Sequence, residues 1–168
     1  MPAALGAQGA PSEYHVKAAL LYNFAKYVRW PEGAAEGGEG GRFVIAILGQ
    51  DPFGVAIDSV LEGKTIDGLQ VVVRRIKASE ELTPSQILFI SDSERGRLPE
   101  ILGRLDAAAT LTVGEMDHFA EAGGVIRFLM DDRRVHLEIN VAAAARARLK
   151  LSSELLKLAR IVGQRAGG

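Results

Sequence analysis

The 168-residue chain sets Lys+Arg 20 against Asp+Glu 21 and contains no cysteine. Near-neutrality leaves no long-range field to gather nucleic acid or an anionic membrane. The lack of thiols excludes disulfides, thiolate catalysis and cysteine-ligated zinc. With 48% hydrophobic and 24% charged residues, the composition is that of one folded domain with a core.

Met1 to Gly9 carry neither the basic n-region nor the apolar stretch of a signal peptide. The most apolar helical stretch, Val16 to Val28, is interrupted by Lys17, Asn23 and Lys26 and is too short for a bilayer. The chain is therefore not expected to span a membrane. The expected organisation is a flexible tail over 1–11, a single α/β domain over 12–163, and a second flexible tail over 164–168.

Ser12 suits an N-cap for a helix to about Arg29, with Tyr14, Ala18, Leu21, Ala25 and Val28 on one stripe. Pro31 ends that helix by excluding Trp30 from the α region. The Gly-, Ala- and Glu-rich stretch Glu32 to Gly41 reads as a mobile loop. Phe43 to Leu48 is a continuous apolar run of β type, the pattern of a strand covered on both faces.

The sequence Gly49-Gln50-Asp51-Pro52 turns into a helix reaching Leu61. Gly63 and Gly68 bracket a turn, followed by a strand over Leu69 to Ile76. Ile87 to Ile90 forms a third strand, Glu94 to Leu105 a helix, Thr110 to Val113 a strand, and Met116 to Ala122 a short helix. Val125 to Met130 and Val135 to Val141 form a hairpin around Asp131-Asp132-Arg133-Arg134. Two helical pieces close the chain, Ala142 to Arg148 and Glu154 to Val162, the second capped by Ser152 with Leu151 and Leu156 as a staple. Alternating strands and helices predict an α/β fold. We expect a three-layer sandwich around a mostly parallel, mixed sheet of about five to six strands, with helices on both faces and a C-terminal antiparallel hairpin.

Catalytic and cofactor signatures are missing. His15, His118 and His136 form no HxxxH or HExxH pair, and neither GxSxG, GxxxxGK[ST] nor a strand-linked GxGxxG occurs. No cofactor and no metal are expected. The loop at Gly49 sits where parallel sheets bind ligands, although Pro52 removes a backbone N–H there. A receiver domain is disfavoured because Asp51 stands without the acidic cluster that Mg²⁺ needs.

One constellation has a geometry. If Met130 pairs with Val135, then Arg127 lies opposite Glu138, Leu129 opposite His136 and Val125 opposite Asn140, all on one face of the hairpin. That face admits two readings. It is either a solvated surface with a cross-strand ion pair and Asn140 capping the next helix, or a polar pocket or partner-binding patch with His136 as a pH-sensitive member. Trp30, the only tryptophan, is either a plug at the core edge or an interface anchor.

The segment VKAALLYNFAKYVRWP, Val16 to Pro31, resembles the opening signature of the YfiR-like family. The likeness continues through Gly49 to Gly54, Leu88 to Ser91, Leu111 to Glu115, Gly123 to Ile126, Glu138 to Asn140 and LKLSSELLKLA at Leu149 to Ala159. The resemblance implies a periplasmic, non-enzymatic regulator. It would bind and repress the periplasmic region of an inner-membrane diguanylate cyclase, lowering cyclic-di-GMP and biofilm formation, or serve as the sensor of a membrane histidine kinase. It also implies a homodimer. Well-studied relatives carry disulfides, so redox control does not transfer to this cysteine-free chain. The rival reading is a small-molecule-binding sensory domain using the Gly49 loop or the Arg127/His136/Glu138 face. The candidate binding residues are thus Trp30, Asp51, Arg127, His136, Glu138 and Asn140.

Overall fold

The computed structural model describes residues 12–33, 41–106 and 108–163. The tails expected over 1–11 and 164–168, and residues 34–40 of the loop expected after Pro31, lie outside the described residues. In chain order the elements are α1 (Glu13–Tyr27), β1 (Val28–Arg29), β2 (Arg42–Leu48), α2 (Val55–Leu61), β3 (Thr65–Ile66) and β4 (Leu69–Ile76). There follow β5 (Ile87–Ile90), α3 (Leu98–Arg104), β6 (Leu111–Gly114), β7 (Ile126–Asp131) and β8 (Arg134–Asn140). The described chain closes with α4 (Val141–Arg146), β9 (Lys150–Leu151), α5 (Ser153–Leu156) and β10 (Ala159–Val162).

Eight strands form one mixed sheet in the order β10-β8-β7-β6-β5-β2-β4-β3. Strands β4, β2, β5, β6 and β7 run parallel, and β7 and β8 make the antiparallel hairpin. Alternation along β2 and β5 divides the core between the faces. Phe43, Ile45, Ile47, Ile87 and Phe89 pack with Leu21 and Phe24 of α1 and Ile57 of α2. Ala46, Leu48, Leu88 and Ile90 pack with Leu98 and Ile101 of α3 and with Phe119. The result is the expected three-layer α/β sandwich.

The sheet is wider than expected because two strands read as something else. Ala159 to Val162, expected as helix, pairs in parallel with Leu137 to Asn140. Leu155, Leu158 and Val162 have helical spacing, but the open edge of β8 offers main-chain partners to a segment containing Ile161 and Val162, and pairing overrides local periodicity. Thr65–Ile66 folds back on β4 through Asp67 and Gly68, with φ of 50° and 81°, the two-residue turn that Asp-Gly favours.

Other boundaries move for local reasons. Helix α1 is capped by Ser12, whose hydroxyl accepts from His15 N. It stops at Tyr27 rather than Arg29 because Val28 and Arg29 pair with Leu151 and Lys150 in a separate two-stranded ribbon. The first turn of α2 begins at Val55, after Gly54 at φ 57°, not at Pro52. The helix expected from Glu94 splits into a 3₁₀ turn over Asp92–Arg97 and α3. Pro99 cannot occupy a helix interior and sits in the first turn of α3 instead. Met116 to Ala122 is a series of turns rather than a helix, with His118 at φ 64°.

That segment is held by Phe119, which is fully buried. A Cβ at Gly124 would stand 2.2 Å from its ring and one at Gly114 2.8 Å. Both glycines are therefore required by close approach. The hairpin keeps the expected register, with Arg127 opposite Glu138 and Leu129 opposite His136. Its loop is two residues rather than four, because Asp131 pairs with Arg134 and Asp132 and Arg133 turn the chain at φ 54° and 66°.

Candidate functional site

The polar face of the β7–β8 hairpin lies on the α3 side of the sheet, continuing the second core outward under the 116–124 segment. Arg127 Nη1 donates to Glu138 Oε1 at 3.2 Å and Nη2 to Asp117 Oδ1 at 3.0 Å. Arg160 of β10 approaches the other Glu138 oxygen at 3.8 Å. Three strands thus align cation, anion and cation in a row. Glu138 is only 8% exposed and Arg127 17%, so this part of the face is covered rather than solvated. Burial in a lower dielectric makes each charge depend on its neighbour. Arg127 Nε is buried without a partner among the described residues.

Asn140 ends β8 and caps α4. Its Oδ1 accepts from Ala143 N at 2.9 Å while its Nδ2 donates to Ala120 O at 2.7 Å. The side chain therefore ties the hairpin to the 116–124 segment. His136 lies two residues from Glu138 on the same face and is exposed near the Asp131–Arg134 turn. The structure brings Arg127, Glu138 and Asn140 together, with His136 at their margin.

Asp51 and Trp30 lie elsewhere. Asp51 Oδ1 accepts from Phe53 N at 2.7 Å, closing an Asx turn, and Oδ2 accepts from Arg75 Nε at 2.8 Å. Hydrogen bonds to Asp58 first, and then to Asp51, raise the Arg75 pKa above its ordinary value. The neighbouring Gln50 N donates to Ser93 Oγ, and a Cβ at Gly49 would meet that same oxygen at 2.5 Å. Side-chain atoms of Ser93 and Glu94 therefore crowd Gly49 itself. Trp30 packs edge-on against Phe43 with centroids 5.2 Å apart and donates through Nε1 to Gln86 O at 3.1 Å.

Sequence reasoning missed a second charged cluster, at the opposite end of α1 from Trp30. Lys17 is 2% exposed, and its ammonium bonds Glu13 one turn earlier and Glu115 just beyond β6. Tyr14 O–H donates to the other Glu115 oxygen at 2.9 Å, and its ring lies 4.6 Å from Lys17 Nζ. Burial, then the hydrogen bond and charge of Glu115, push the Tyr14 pKa well above its ordinary value. Lys17 falls one residue before Ala18 on the same stripe as Tyr14 and Leu21. A lysine inside an apolar stripe is the signal that could have found it.

No helix among the described residues is long and apolar enough to cross a membrane. Among those residues no three His, Asp or Glu side chains converge as metal ligands. What the geometry defines is an α/β sandwich whose inward-facing charges are paired with one another. The chain belongs to the YfiR/HmsC-like family (DUF4154), which it matches over residues 14–160. This is a family of periplasmic regulators of diguanylate cyclases rather than enzymes. No curated protein matches the chain.

Among solved structures, the chain is similar to a conserved domain protein from Vibrio cholerae O1 biovar El Tor, with a TM-score of 0.60 and 12% identity. That likeness covers 89% of this chain and 60% of the other. It is also similar to the ABC domain in complex with L-Trp from Streptococcus pneumonia, with a TM-score of 0.53 and 10% identity, over 76% of this chain and 58% of the other. The chain thus spans less than two thirds of either structure, and at these identities the likeness is one of fold.

Proposed function

We propose that this chain is a non-enzymatic periplasmic regulator that binds the periplasmic region of an inner-membrane diguanylate cyclase and represses it. The observation that carries the reading is the family match, which extends through nearly every element from α1 to β10. The row of Arg127, Glu138 and Arg160, covered at Arg127 and Glu138 and open at Arg160, supports a rigid binding face. Arg160 and Asp117 are exposed at its two ends, free to exchange partners with an approaching surface without unfolding the middle. A homodimer is part of the same proposal, as is the variant in which a membrane histidine kinase takes the place of the cyclase.

Co-expression with a diguanylate cyclase encoded beside this protein tests the reading. Cyclic-di-GMP should fall when the chain is present, and the two proteins should co-purify. Unchanged output with no co-purification overturns it.

One observation favours a second reading, in which the hairpin face takes a small ligand. Arg127 Nε is a buried donor with no acceptor among the described residues, and an oxygen of a ligand would supply one. A ligand-dependent rise in melting temperature that disappears in Arg127→Lys is the result expected from this reading.

A further inference from the structure

Arg29 and Lys150 stand directly opposite each other in the β1–β9 ribbon. Alternation turns their neighbours Val28 and Leu151 toward the core and leaves both cations exposed. Like charges in that position have Cβ atoms roughly 5 Å apart and repel. Neither cation forms an ion pair or hydrogen bond through its side chain among the described residues. A sequence could remove this repulsion by one substitution, and this one keeps it.

The pair borders a cleft of about 770 Å³ whose walls include Arg29, Trp30, Pro31, Arg148, Leu149 and Lys150. Arg148 also lines the cleft, its backbone at φ 62° in the turn before β9 and its side chain already engaged by another group. Glu32, the one carboxylate on this cleft's wall among the described residues, forms no ion pair with Arg29 or Lys150. The site therefore joins the Arg29 and Lys150 cations to an aromatic and aliphatic wall.

We propose that this cleft receives an acidic segment of a partner protein, with carboxylates between Arg29 and Lys150 and an apolar side chain against Trp30. The inference rests on the regulator reading above and names where its partner would dock. Charge complementarity calls for an anion, since carboxylates between the cations turn a repulsive pair into an attractive one. Concavity and the apolar wall favour a peptide chain over a bilayer, whose headgroups present a broad plane rather than a strand that enters a cleft.

The test uses the full chain, a tryptophan-free hexaglutamate peptide as probe, and the emission of Trp30, the only tryptophan. The peptide should change that emission saturably, and Arg29→Glu should weaken its binding by at least about tenfold. The melting temperature of Arg29→Glu should not fall, because the introduced carboxylate would face Lys150 as an opposite charge. Lys150→Gln provides a second variant with the same expected loss of binding. The proposal is overturned if the wild-type emission shows no saturable change, if Arg29→Glu binds equally well, or if phosphatidylglycerol vesicles compete the peptide off the cleft. Normal repression of the cyclase by Arg29→Glu would also overturn it, while leaving the regulator reading intact. Failure of the wild-type chain to repress would instead remove the regulator reading.

Discussion

The two ends of α1 are fastened by opposite means. At its N-terminal end, Lys17 is enclosed with Glu13, Glu115 and Tyr14, so attraction between unlike charges fixes the helix to the end of β6. At its C-terminal end, Val28 is buried beside Leu151 while Arg29 and Lys150 repel each other outside. The difference is one of solvent. A buried ammonium must have partners, because leaving it unpaired costs several kcal/mol. An exposed cation is screened, so the ribbon tolerates a repulsion that apolar burial outweighs.

Removing the enclosed charge should therefore cost most. Lys17→Ala leaves Glu13 and Glu115 facing each other and should lower the unfolding free energy by about 3 kcal/mol in urea titration. Lys17→Met, which keeps much of the buried stem, should lose somewhat less; a loss near zero would show that packing rather than charge secures this end. Val28→Ala thins the apolar seam of the ribbon and should cost about 2 kcal/mol, a loss that added salt should not change.

Tyr14→Phe removes the donor to Glu115 and should cost about 1 kcal/mol. Because the folded chain raises the Tyr14 pKa, the neutral phenol is the form the fold favours. Its contribution is complete below the ordinary tyrosine value of about 10 and is lost as pH rises above it toward the folded value. Melting temperatures measured between about pH 9 and 11 should fall more steeply in wild type than in Tyr14→Phe. Arg29→Glu should have the smallest effect, a gain of about 0.3 kcal/mol, and its sign distinguishes the exposed end from the enclosed one.

The layers of this molecule were legible in its sequence, as was most of its order. FVIAIL and ILFI announce strands covered on both faces, and the period-2 pattern from Val125 to Asn140 sets the hairpin register and the face shared by Arg127 and Glu138. Legibility failed where long-range pairing decided the structure. The last strand and the β1–β9 ribbon exist because distant segments supply partners, and Val28 and Arg29 carry no local sign that they leave the helix for Leu151 and Lys150.

The site was legible only in part. Cross-strand alternation places Arg127, His136, Glu138 and Asn140 together, but it could not show that the 116–124 segment folds over this face through Asp117 and Ala120. That cover depends on Phe119 reaching two glycines. The Lys17–Glu115 pair joins residues about a hundred positions apart in the chain, and only Lys17 carried a visible sign, its place within an apolar stripe.

The β1–β9 ribbon also bears on the order of folding. It joins residues about 120 positions apart, and closing so long a segment is entropically costly until the intervening sheet has brought its ends together. Four paired residues cannot nucleate such a contact, so the ribbon should close after the sheet and open before it. Among the described residues, the end of α1 would then open to a protease before the sheet does, and cleavage there would report the ribbon's own opening rather than unfolding of the whole.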